Sequence, residues 1–171
     1  MRQTLIIDAD DTLWENNIYC ERAFAEFVDF LDHSSLGAAG IRSVLDEIES
    51  ANNRIHGYGS LNFGRNLKQC YQRLAQRDIR PADLDTVMSF AERILDLPME
   101  VIEGVPRTLA YLAGHHDLTL FTKGHADEQR LKLDRSGLAG YFNHTEIVKE
   151  KDAASSVGLS PNTASTRRSP G

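Results

Sequence analysis

Two aspartates, Asp8 and Asp10, stand two residues apart directly after the apolar run Leu5-Ile6-Ile7, with Asp11 and Thr12 beside them. Carboxylates at this spacing can share a divalent cation, or divide into a nucleophile and an acid/base. The contiguous bulky run predicts a strand buried on both faces of a parallel sheet. The carboxyl end of such a strand is where open α/β sheets place their ligands. An acidic turn after an edge strand would have the same local sequence, so the remainder of the chain has to decide between them.

Two further apolar runs end in polar groups. Leu118-Thr119-Leu120-Phe121 leads into Thr122-Lys123-Gly124, and His144-Thr145-Glu146-Ile147-Val148 leads into Lys149-Glu150-Lys151-Asp152. In a parallel sheet the three ends lie on one edge, so their side chains can converge. An acid pair, a hydroxyl with adjacent backbone N–H groups and a lysine suit a phosphate held beside a metal ion. Taken singly, Thr122 reads as a turn residue and Lys151 as a solvated charge; their order along the chain carries the reading.

The elements that must position these groups follow from periodicity. Apolar residues three or four apart predict helices over 15–31, over 39–53, from Ser60 (expected to cap its own helix) to about residue 74, and over 82–95 behind Pro81. Gly57 and Gly59 bracket Tyr58 in a turn. Four helices exceed one βαβ crossover, which takes about 30 residues in all. Residues 15–97 therefore read as an inserted helical domain. Beyond it come a helix to about residue 113 closed by Gly114, a strand over 117–122, a helix over 126–135 stopped by Gly137, and a strand over 144–148. Strands alternating with helices give an α/β class with a parallel, Rossmann-like sheet. The core is expected in residues 1–14 and 98–152. Residues 153–171 contain no acid and no aromatic residue, which predicts a short helix followed by poorly ordered chain.

Composition limits the function classes. The 171 residues are 41% hydrophobic and 26% charged, with 19 Lys and Arg against 25 Asp and Glu, a formal charge of -6. That balance argues against a general nucleic-acid binder and leaves a small anionic substrate open. No apolar run is long enough to span a bilayer, and the early first strand leaves no room for a signal peptide, so the expected compartment is the cytoplasm. Cys20 and Cys70 lack metal-ligand or disulfide spacing and read as buried thiols. Trp14 is expected in core packing or at the hinge between the two parts. Arg54, His56, Tyr58 and Arg65 flank the glycine turn and either reach a substrate or remain solvated.

With these residues in place, the chain resembles the haloacid dehalogenase superfamily, specifically phosphatases with an inserted helical cap. Asp8, Asp10 and Thr12 match its first motif, Thr122 the second, and Lys151 the third, with Lys149 as the alternative. The resemblance implies that Asp8 is a nucleophile forming an aspartyl-phosphate and that Asp10 is the acid/base. It implies phosphate binding by Thr122, Lys123 and Lys151. It implies Mg2+ held by the Asp8 carboxylate and the Asp10 backbone carbonyl, and a small phosphorylated metabolite as substrate. The acid at position 10 favours phosphate chemistry over dehalogenation. A fourth acidic motif has no counterpart after Asp152, which implies an incomplete core at the carboxyl end and a weakened metal site. The alternatives are a non-catalytic binding module of the same fold, or a phosphotransferase.

Overall fold

Three strands, β1 (Thr4–Ile7), β2 (Asp117–Lys123) and β3 (His144–Val148), form one parallel sheet in the order β1-β2-β3 in the computed structural model, which describes residues 2–151. The register pairs Ile7 with Leu120 and Thr122 with Ile147, so all three chains leave the sheet at the same edge. β2 lies between its neighbours and is buried along its middle; its Leu118, Thr119, Leu120, Phe121 and Thr122 are all covered. β1 departs from the expectation of burial on both faces, because Ile6 is 53% exposed. Among the described residues β1 pairs only with β2, and one face of the strand has no layer over Ile6.

Between β1 and β2 the chain makes four helices: α1 (Asn17–Phe30), α2 (Ala38–His56), α3 (Ser60–Leu74) and α4 (Pro81–Glu92), the last continued by a 3-10 turn at Arg93–Asp96. They enclose an apolar cluster of their own, with Phe27, Leu31, Leu45, Leu67, Tyr71 and Val87 almost fully buried. A second cluster, around Trp14, Leu109, Leu118, Leu120 and Leu133, packs α5 (Val105–His115) and α6 (Ala126–Ser136) against the sheet. Two separate cores describe an α/β domain carrying a helical cap, since each unit buries its own apolar face.

The two connections between these units run side by side. Glu15 donates its N–H to the Glu100 carbonyl at 2.9 Å, and Ile102 donates to Leu13 at 3.0 Å. Trp14 is fully buried between them. Most element limits agree with the periodicity, and three local expectations change. Gly114 does not stop α5, which runs through it to His115. Ser60 does not cap α3, because Gly59 occupies that position and the Ser60 hydroxyl bonds elsewhere. The helix expected over 39–53 runs on to His56, where Gly57 ends it. The expected short helix and tail over 153–171 lie outside the described residues.

Candidate active site at the sheet edge

Asp8 follows β1 directly. Its Oδ1 accepts its neighbour's backbone N–H, that of Ala9, at 2.8 Å and the Lys151 Nζ at 2.6 Å. Lys151 arrives three residues after β3, so the parallel register brings a cation from the far strand across the sheet to the acid. Lys149, by contrast, is exposed, and it is Lys151 that reaches Asp8. Thr122, only 2% exposed, is the penultimate residue of the central strand and faces the same space. The Gly124 N–H beside it donates to the Val148 carbonyl at 2.9 Å, so this backbone donor is already used.

Asp10 is held more tightly than Asp8. Its Oδ1 accepts the Trp14 indole N–H at 2.9 Å and the Lys132 ammonium at 3.1 Å, and its Oδ2 accepts the Gln129 amide at 2.8 Å. Three donors from two elements fix one carboxylate. The chain turns sharply at Asp11, whose φ of 56° is left-handed. Asp11 Oδ1 then accepts the N–H groups of Asn16 and Asn17, both at 2.9 Å, where α1 begins.

Lys132, Gln129 and Glu128 were not legible as site residues, because α6 reads as a charged surface helix. The available signal was their spacing: residues 128, 129, 132 and 133 share one helical face, and Leu133 is apolar. That face is buried in the structure, with Lys132 7% and Glu128 8% exposed. A buried ammonium is tolerated only when paired. Lys132 has Asp10 at 3.1 Å, Glu128 at 3.7 Å and the Asn16 side-chain oxygen at 2.7 Å.

Lys123 borders the same cavity as Asp8. Its ammonium lies 3.9 Å from the centre of the Tyr58 ring and 3.9 Å from Glu150. It thereby joins the sheet edge to the cap turn. Of the four turn residues considered for substrate contact, Tyr58 lines the cavity, whereas Arg54, His56 and Arg65 are exposed and lie outside its lining.

The cavity between sheet edge and cap measures about 420 Å³, within the usual range for small-ligand sites. Asp8, Asp10, Thr122 and Lys151 form its floor, and α1, α2 and α3 contribute Cys20, Arg42, Glu49, Asn53 and Asn66 opposite. Burial raises the Glu49 carboxyl above the usual carboxylate range, opposed by the nearby Arg42 guanidinium. Burial also pushes the Cys20 thiol up to about 11, which makes it a poor nucleophile at neutral pH.

Among the described residues no group of three or more His, Cys, Asp or Glu side chains gathers as a metal cage. Mg2+ does not require one, since it commonly takes one or two carboxylates, phosphate oxygens and several waters. The exposed Asp8 carboxylate and the Asp10 carbonyl, two residues on, would fit that sparse donor set.

Comparison with solved structures agrees with the architecture. The chain is similar to a haloacid dehalogenase-like hydrolase from Xanthomonas campestris, with 29% identity and a TM-score of 0.84 over 92% of this chain and 66% of that one. It is also similar to the hydrolase YfnB of Bacillus subtilis, solved bound to magnesium, at 17% identity and TM-score 0.57 over 85% and 63% of the two chains. A 2-haloacid dehalogenase from Pseudomonas syringae matches at 21% identity and TM-score 0.59 over 92% and 71%. No protein-family model and no curated protein sequence matches the chain. The fold is that of haloacid dehalogenase-like hydrolases, with a helical cap inserted after the first strand. It spans about two thirds of the length of the first two solved relatives.

No helix of the described residues is long and apolar enough to cross a membrane.

Proposed function

We propose that this chain carries the active site of a Mg2+-dependent phosphomonoester hydrolase acting on a small phosphorylated metabolite, with residues 15–97 as the cap that selects it. The observation that supports this most is the pair of unlike carboxylates at one strand end. Asp8 is exposed and meets a single cation, while Asp10 is immobilised by three donors. One group is free to attack and the other is aimed for proton transfer.

In the proposed reaction an Asp8 oxygen attacks phosphorus, forming a new O–P bond as the ester P–O bond breaks. A proton carried on Asp10 passes to the departing alkoxide. Asp10 then accepts a proton from water, whose oxygen displaces Asp8 from phosphorus. Inorganic phosphate leaves and both carboxylates return to their starting state. Lys151 offsets the repulsion between Asp8 and an incoming phosphate dianion, and the Thr122 hydroxyl donates to a non-bridging oxygen. Lys123 supplies positive potential at the mouth of the cavity. When bound, Mg2+ would add charge stabilisation to the phosphoryl oxygens.

Phosphate chemistry is preferred to carbon–halogen cleavage because Asp10 is the proton donor an alkoxide leaving group needs, and a halide leaves without one. The test is release of phosphate from aryl and alkyl phosphates, with and without Mg2+, beside release of halide from a 2-haloacid. Mg2+-dependent phosphate release without halide release is expected. Halide release alone would replace this reading with the dehalogenase one. Release of neither would leave the fold as a binding module.

A further inference from the structure

One line of contacts runs from the acid at the sheet edge to the cap without passing through the hinge. Asp10 meets Lys132 at 3.1 Å, and Lys132 meets Glu128, one helical turn back on α6, at 3.7 Å. Glu128 Oε2 in turn accepts both the backbone N–H of Ser60 at 2.9 Å and its hydroxyl at 3.0 Å. Ser60 is the first residue of α3, in the cap, so a core carboxylate satisfies a free donor of a cap helix and sits at the positive end of its dipole. Glu128, Lys132 and Ser60 are all at least nine-tenths buried.

Backbone geometry is fitted to the same contact. Gly59, the residue before Ser60, has φ of 138°, and a Cβ there would lie 3.0 Å from Glu128 Oε2 and 3.2 Å from His125 Cβ. A side chain at 59 would hold the two helix starts apart. Other contacts also join this side of the core to the cap: Lys132 to the Asn16 side-chain oxygen at 2.7 Å, Arg135 to the Leu95 carbonyl, and Lys123 against the Tyr58 ring.

We propose that Glu128 is the latch that holds the cap on the core, and that Lys132, shared between Glu128 and Asp10, makes the position of Asp10 depend on whether the latch is engaged. With the cap seated, Glu128 is divided between Ser60 and Lys132. When the cap lifts, Ser60 leaves and Glu128 turns fully to Lys132, which loosens the ammonium from Asp10. Lys132 and Gln129 are positioning residues for Asp10, and their effect is greatest when the cavity is closed over a substrate.

The consequence for catalysis rests on the acid/base role proposed above for Asp10, whereas the latch does not, so both readouts avoid turnover. The first is hydrogen exchange of the Ser60 amide, which reports the latch. The second is emission from Trp14, the single tryptophan, whose indole N–H is bonded to Asp10 and reports that carboxylate. In Glu128→Gln the Ser60 amide is expected to exchange roughly tenfold faster or more, as loss of a charged hydrogen bond implies. The Cys70 and Tyr71 amides inside the cap should keep their protection. Trp14 emission should shift in the same direction as in Lys132→Met. Ser60→Ala, a milder change that removes only the hydroxyl, should give smaller shifts of both kinds and keeps the test available if Glu128→Gln does not fold. Unchanged Ser60 exchange would overturn the latch. Faster Ser60 exchange with Trp14 emission as in the parent protein would overturn the coupling to Asp10.

Discussion

Asp11 Oδ1 accepts the backbone N–H of Asn17 at 2.9 Å, and so the third acid of the strand-end cluster fastens the first cap helix. The same oxygen takes the Asn16 N–H, so two of the free donors at the start of α1 depend on one residue five and six positions upstream of them. Asp11→Ala should lower stability by about 1 kcal/mol, the usual cost of losing a helix-start acceptor. Denaturant titration checks this, with the midpoint falling and the slope unchanged.

Gln129 can approach Asp10 because residue 124 has no side chain. A Cβ on Gly124 would lie 2.8 Å from the Gln129 nitrogen, and φ there is 150°. Gly124→Val is expected to push Gln129 off Asp10 and to slow hydrolysis of alkyl phosphates roughly tenfold to a hundredfold, the scale of a misplaced catalytic group. Aryl phosphates with good leaving groups should suffer much less, because they need little help from a proton donor. Equal losses on both substrate types would point to general damage instead.

Asp83 supplies a pH-dependent part of cap stability. Its carboxylate accepts from the Arg80 backbone at 3.0 Å and from the guanidinium at 2.9 Å, and these bonds hold it below the usual carboxylate range. A lowered folded-state value means this stabilisation is complete above about pH 4, the unfolded value, and is lost as pH falls through the folded one. Asp83→Asn should therefore lower the melting temperature at pH 7, with the gap to the parent closing in strong acid. A gap that widens in acid would contradict the assignment.

Cys20 lines the cavity and Cys70 is fully buried in the cap, and burial raises both thiols to about 11. Neither should label quickly with a thiol reagent at pH 7.5, since only the thiolate reacts. Raising the pH toward 10 should speed labelling of Cys20 first, because it borders the cavity. Modification counted by mass spectrometry over time makes the comparison.

How much of this was readable beforehand depends on where each residue sits. Asp8, Thr122 and Lys151 lie at or just past the carboxyl ends of strands, and a parallel register brings those ends to one edge, so their convergence follows from order along the chain. Lys132, Gln129 and Glu128 lie within a helix whose polar residues outnumber its apolar ones, and such a helix normally shows its charges to water. Partners contributed by distant segments, Asp10 and Ser60 among them, turn that face inward. Ile6 failed in the opposite sense, since a bulky run specifies a strand but not how many faces its neighbours cover. Ser60 starts α3 as its local sequence suggests but does not cap it, because a local rule cannot see a carboxylate 68 residues away.

Trapping a phosphoryl adduct tests whether Asp8 is the nucleophile. The chain would be mixed with Mg2+ and an aryl phosphate, quenched in acid within one turnover, and digested for mass spectrometry. The Asp10→Asn variant, expected to hydrolyse the adduct slowly, should accumulate it. The predicted result is one added phosphoryl group on the peptide containing Asp8, absent in Asp8→Asn and absent without Mg2+. Phosphate release with no adduct on Asp8, or with the adduct on another residue, would rule Asp8 out as the nucleophile.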